Sequence, residues 1–138
     1  QEIFGALAHE SNYDLEKWYQ TQRDYYRELM LPLRENLLNL IPGLIVTNPE
    51  AAIYFIIDFK DICNDSFNAK YFVQFCALKG KVNIEGKNYT LLLAPMAGFY
   101  SDPDKGKTQM RVAMVEPMYL IEKMPQLLSE LYNSYLQL

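Results

Sequence analysis

Apolar residues recur at helical spacing from Leu15 through Trp18, Tyr19, Tyr26, Leu29, Met30, Leu33 and Leu37 to Leu40, and this run limits the possible folds more than any other feature. Ser11-Asn12-Tyr13-Asp14 has the S-x-x-D form of a helix start, in which a side-chain oxygen accepts from a backbone N–H one turn on. Pro42-Gly43 supplies the stop. Pro32 lies inside the run and is expected to kink it, because proline removes a backbone donor and its ring meets the previous turn. A long helix with one apolar stripe has to cover that stripe with a second layer.

The remaining sequence offers one. Residues 44–47 and 52–59 read as strands, joined by Asn48-Pro49-Glu50-Ala51 with proline where a type I turn favours it, and so as an antiparallel pair. Asn64-Asp65-Ser66 is expected to cap a second helix over 67–78, with Phe72, Phe75, Cys76 and Lys79 spaced along it. A polar segment turning near Gly86 follows. Residues 90–94 and 110–115 read as a second strand pair. Pro117 suits the first turn of a final helix carrying Ile121, Met124, Leu127, Leu128, Leu131 and Tyr135, within which Pro125 either bends the helix or restarts it. The order helix, strand, strand, helix, strand, strand, helix predicts a two-layer α+β sandwich, with helices on one face of a small, mostly antiparallel sheet. No repeat or linker divides residues 1–138, which are expected to form a single domain.

Several function classes can be set aside. Half of the 138 residues are hydrophobic and 14% are aromatic, enough for a sizeable core. Thirteen basic against seventeen acidic residues give a net charge of -4, with no basic cluster interleaved with aromatics, so no nucleic-acid partner is expected. Two cysteines, Cys63 in a loop and Cys76 on an apolar helical face, make neither a disulfide framework nor a zinc site and read as reduced thiols. No apolar run approaches the roughly 20 residues that span a bilayer, and the N-terminus lacks a signal-peptide pattern, so the expectation is a cytoplasmic chain with no membrane partner. His9 is the sole histidine; without a companion nucleophile or ligand it carries no catalytic case. Asp58, Asp61 and Asp65 lack the D-x-D-x-D-G pattern of a calcium loop and read as a solvated acidic loop, leaving no metal site.

One residue stands out. In "APMAGFYSDPDKGKTQMRVAMV" a single arginine, Arg111, interrupts the apolar run that closes the stretch. A buried cation without a partner costs several kcal/mol. Arg111 therefore reaches water, pairs with Glu116, Asp102 or Asp104, or receives an anion from outside. Strand alternation places it with Ala113 and Val115, opposite Met110, Val112 and Met114. Tyr54, Phe99 and Tyr100 could wall a site, but aromatics at strand positions more often fill a core, and that is the expectation for all three.

Taken in order, "TQRDYYRELMLPLRENLLNLIPGLIVTNPEAAIYFIIDF", "TLLLAPMAGFYSDPDKGKTQMRVAMV" and the closing helix resemble the C-terminal small domain of class I/II pyridoxal-phosphate aminotransferases of the aspartate aminotransferase type, members of fold type I. The resemblance covers nearly the whole chain. It rests on Arg23-Asp24 in the long helix, the Pro42-Gly43 stop, Pro49 to Tyr54 in place of a "P-x-G-A-x-Y" element, and an "APxxGFY…GxxxxR" pattern met by Ala94, Pro95, Gly98, Phe99, Tyr100, Gly106 and Arg111. The chain departs from the family at Ala51, where the pattern has glycine.

The resemblance implies that Arg111 binds the α-carboxylate of an amino-acid substrate, a role suited to a planar fork that stays charged at any working pH. It implies amino acids and 2-oxo acids as substrates, pyridoxal 5'-phosphate as cofactor, and a homodimer. No lysine here stands in the family's Schiff-base context. The catalytic lysine and the cofactor's phosphate-binding groups would belong to a large domain ahead of Gln1, and this chain alone is expected to be inactive. Fold type I also hosts decarboxylases, lyases and synthases. From other classes, the alternatives are a stand-alone ligand-binding or regulatory module that grips a small anionic effector through Arg111, and a purely structural interaction domain.

Overall fold

The computed structural model describes residues 2–102 and 104–137. A short helix, α1 (Glu2–Leu7), precedes the long one, α2 (Asn12–Leu40), which runs for 29 residues and passes Pro32 without a break. Ser11 caps α2 as expected, its hydroxyl accepting from the Asp14 N–H at 3.2 Å. Only the second half of α2 is packed: Leu29, Met30, Leu33 and Leu37 are buried, whereas Tyr13, Trp18, Tyr19 and Tyr25 are exposed. The helix ends where Ile41 N–H closes on the Leu37 carbonyl and Gly43 turns the chain at φ +86°. Glycine is needed there twice over, for that φ and because a Cβ would lie 2.5 Å from Ile62 Cγ2.

The chain continues through β1 (Ile45–Val46), β2 (Tyr54–Asp58), α3 (Ala69–Leu78), β3 (Val82–Ile84), β4 (Lys87–Tyr89), β5 (Ala94–Pro95), β6 (Gln109–Ala113), α4 (Met118–Ile121) and α5 (Met124–Tyr135). Four strands form an antiparallel sheet in the order β1-β2-β6-β5, so that β2 and β6, distant in sequence, are its central pair. The α+β class holds. Four details differ from the sequence reading. The segment turning near Gly86 is a hairpin, β3 paired with β4. Of residues 90–94 only Ala94 pairs, together with Pro95, because the preceding residues diverge from β6. The second helix starts at Ala69 with Asn68 as its cap, while Asn64 instead holds its own turn by accepting from Ser66. The final helix is two helices, and Pro125 stands in the first turn of the second, where a missing N–H costs nothing.

Strand alternation sorts the sheet's two faces. Phe55 and Ile57 of β2, with Met110 and Val112 of β6, point into one core with Leu33 and Leu37 of α2, Phe72 and Cys76 of α3, and Leu127, Leu128 and Leu131 of α5. Each such side chain contributes about 1.5–3 kcal/mol by leaving water. At one end Phe59, Phe67, Phe72 and Tyr132 pack ring against ring, with Phe59 and Tyr132 centroids 4.6 Å apart. The buried Tyr132 hydroxyl is satisfied by donating to the Ile62 carbonyl at 3.0 Å. The other face of β2 and β6 carries Tyr54, Ile56, Arg111 and Ala113, none of them buried.

Candidate functional site

Arg111 projects from the face of β6 turned away from the core, opposite Ile56 on β2 and Ala94 on β5. Its guanidinium carbon lies 5.0 Å from the centre of the Tyr54 ring and 5.1 Å from that of Phe99. Both distances are within reach of the attraction between a cation and an aromatic face, which is worth about 0.5–1 kcal/mol at exposed positions. Tyr54 reaches it because residues two apart on a strand share a face, and Phe99 arrives on the 3-10 turn that follows β5. The core reading of Tyr54, Phe99 and Tyr100 is overturned: they are 43%, 60% and 37% exposed. They fall on the outer face and its bordering loop, where the helices do not reach. Among the described residues no carboxylate lies within ion-pair distance of Arg111, Glu116, Asp102 and Asp104 included. Aromatic rings offer no oxygen acceptor, so the N–H groups of the guanidinium are the means of gripping an oxyanion.

Asp58 also requires correction. It is 7% exposed rather than part of a solvated loop, and it closes β2 opposite Gln109 on the Arg111 face. Its carboxylate accepts from Thr108 Oγ1 at 2.6 Å, Gln109 Nε2 at 2.9 Å and the Lys60 N–H at 3.0 Å. Gln109 turns its other amide atom outward, and Oε1 accepts from the Tyr100 hydroxyl at 2.7 Å. The Tyr100 ring lies over Gly106, where a Cβ would come within 2.6 Å of it. Asp61 and Asp65 are exposed, as expected. Among the described residues no group of three or more histidine, cysteine, aspartate or glutamate side chains could hold a metal ion.

Other candidates lie apart from this face. His9 is exposed in the turn after α1. Cys76 is buried, which pushes its thiol up to about 12, and burial also raises Cys63, with nearby Asp58 and Asp65 adding to the effect. The lysines are exposed except Lys123, which pairs with Glu85 at 3.4 Å. None lies in an enclosed site that could bind an aldehyde cofactor. A largely apolar cleft of about 390 Å³, by contrast, adjoins this face: it opens where Leu91, Leu92 and Leu93 part from β6, and Arg111 and Ala113 line it together with residues of α4 and α5.

Period-2 alternation alone puts Arg111 on the outer face, so its placement was legible. The contacts of Asp58, Gln109, Tyr54 and Phe99 were missed because they depend on the register of β2 against β6, which no local spacing encodes. The available signal was parity: Tyr54, Ile56 and Asp58 alternate together, as do Gln109 and Arg111.

This architecture is one found within aminotransferases. N-succinyldiaminopimelate aminotransferase from Mycobacterium tuberculosis superposes with a TM-score of 0.63 over 83% of this chain, at 17% identity. YbdL from Escherichia coli, identified as having a methionine aminotransferase function, superposes with a TM-score of 0.59 over 83% of the chain, at 15% identity. The chain covers 27% and 26% of those two proteins, about a quarter of each. No protein-family model matches it, and no curated protein matches it in sequence. No helix among the described residues is long and apolar enough to cross a membrane.

Proposed function

We propose that the chain is the C-terminal small domain of a pyridoxal-phosphate-dependent aminotransferase, that Arg111 binds the α-carboxylate of the amino-acid or 2-oxo-acid substrate, and that the intact enzyme is a homodimer. The observation that carries this reading is the Arg111 guanidinium, set against Tyr54 and Phe99 on the outer face of the sheet with no carboxylate among the described residues to neutralise it. Likeness to about a quarter of two aminotransferases supports the same placement. When bound, the cofactor would supply the electron-withdrawing chemistry of amino transfer. Among the described residues no lysine sits in an enclosed site, and so they do not fit a cofactor cradle. Its part is to hold the carboxylate and, by moving against the large domain, to exclude water.

The test is kinetic, in the enzyme that carries this chain. Arg111→Ala removes both charge and fork, whereas Arg111→Lys keeps the charge alone. Truncating one side of a desolvated, hydrogen-bonded ion pair costs about 2–5 kcal/mol, so kcat/KM for amino acids should fall roughly thirty-fold to several-thousand-fold for Arg111→Ala. Arg111→Lys should fall between that variant and the wild type. Amines without an α-carboxylate should react as before. Amino-acid kinetics within a few-fold of wild type, or an equal loss for the amines, would exclude Arg111 as the carboxylate clamp.

A further inference from the structure

Gln109 and Arg111 alternate on one face of β6, and the aromatic groups that meet them, Tyr100 and Phe99, are neighbours in sequence. The four residues close a circuit: strand to Gln109 side chain, to Tyr100 hydroxyl, to the 3-10 turn, to the Phe99 ring, to the Arg111 guanidinium and back to the strand. We propose that Asp58, Gln109 and Tyr100 are positioning residues, a hydrogen-bonded relay that seats Phe99 against Arg111 and so fixes the direction in which the guanidinium presents its N–H groups.

Each link has a stated sense. The Asp58 carboxylate can only accept, so it fixes the Gln109 amide with its nitrogen inward at 2.9 Å and its oxygen outward. The outward oxygen can only accept, so the Tyr100 hydroxyl must donate, at 2.7 Å. Thr108 Oγ1 and the Lys60 N–H hold the carboxylate itself and stop it from rotating away. Gly106, at φ +72° and with no side chain, leaves the space that the Tyr100 ring occupies. The turn is tied at its other end as well, where the Met96 N–H donates to the Gln109 carbonyl and the Phe99 N–H to the Met96 carbonyl. Phe99 is 60% exposed, so packing covers less than half of it. Its place over Arg111 therefore depends on the anchored Tyr100 beside it. That this seating governs substrate affinity rests on the reading of Arg111 as the carboxylate clamp; the seating itself does not.

The positioning is tested on the 15N-labelled chain through the Arg111 Nε–H resonance, assigned by its loss in Arg111→Lys. Two rings with centres 5.0 and 5.1 Å from the guanidinium carbon displace this resonance from that of an exposed arginine such as Arg27. Tyr100→Phe removes one hydroxyl and leaves the ring over Gly106, so the fold should persist while the resonance moves toward the exposed position. An unmoved resonance in folded Tyr100→Phe overturns the relay. Gln109→Glu sets a second carboxylate against Asp58 and should move the resonance further. Adding Asp58→Asn to it restores one donor and one acceptor at that link and should bring the resonance back; failure of that rescue also counts against the relay.

The functional arm uses the enzyme that carries the chain. Tyr100→Phe should raise KM for α-amino acids roughly two- to ten-fold, the worth of one hydrogen bond, with kcat and carboxylate-free amines unchanged. A resonance that moves while KM for amino acids stays fixed would leave the relay standing and sink the carboxylate reading of Arg111.

Discussion

Ala52 has φ +66°, a left-handed conformation in which a Cβ crowds the following carbonyl at a cost of about 1–2 kcal/mol. The aminotransferase pattern that the sequence resembles has a glycine at the position of Ala51, so the left-handed residue here is neither a glycine nor at that position. Ala52→Gly should relieve the strain and lose part of the gain to the freer unfolded chain, leaving a net stabilisation of up to about 1 kcal/mol in urea unfolding. A destabilised Ala52→Gly variant would mean that the strain is absent in solution. Cys76 permits a second test at the same scale. Burial raises its thiol from the ordinary 9.0 to about 12, so the folded state holds the proton more tightly than the unfolded chain does. The stability this confers is complete below about pH 9 and is lost as pH rises toward 12. At pH 8 a thiol reagent should therefore modify half-buried Cys63 first and reach Cys76 only at the rate of unfolding, giving two separate phases. A single fast phase for both would show that the Cys76 site opens freely.

At the scale of elements, α2 consists of two unlike halves. From Tyr26 onward it touches the core, whereas residues 12–25 have no buried side chain and depend on local helix stability, which is marginal for a segment of that length. Amide exchange should divide accordingly: fast over residues 16–26, slow over residues 33–40, with the change near Leu29. Uniform protection along α2 would mean that something covers its first half. The helix itself was legible because a strong period survives any tertiary context. The two-residue strands β1 and β5 and the hairpin β3-β4 were not, since strands so short are defined by their partners rather than by their own composition. The caps show the same limit. Ser11 could be named because its helix begins at once, but Asn64 and Asn68 both suit a helix start, and only the packing of Phe67 and Ala69 decides between them.

For the molecule as a whole, one consequence follows from the central pairing of β2 with β6. Phe55 lies opposite Val112 and Ile57 opposite Met110, and the side chains of Asp58 and Thr108 meet across 50 residues of sequence. Between the two strands the chain forms α3, the β3-β4 hairpin and β5, none of which can be covered until the sheet closes above them. Helices form in about a microsecond, so the search that limits refolding is the closure of that long loop, whose entropy is lost before the core repays it. Refolding should be slow for a chain so rich in helix. Ile57→Ala and Met110→Ala, which each cost about 2–5 kcal/mol, should appear mainly as slower refolding rather than faster unfolding in stopped-flow measurements. Were both to act on the unfolding limb instead, the strands would be meeting after the barrier, and the sheet would be the last part of the molecule to form rather than the step on which the rest waits.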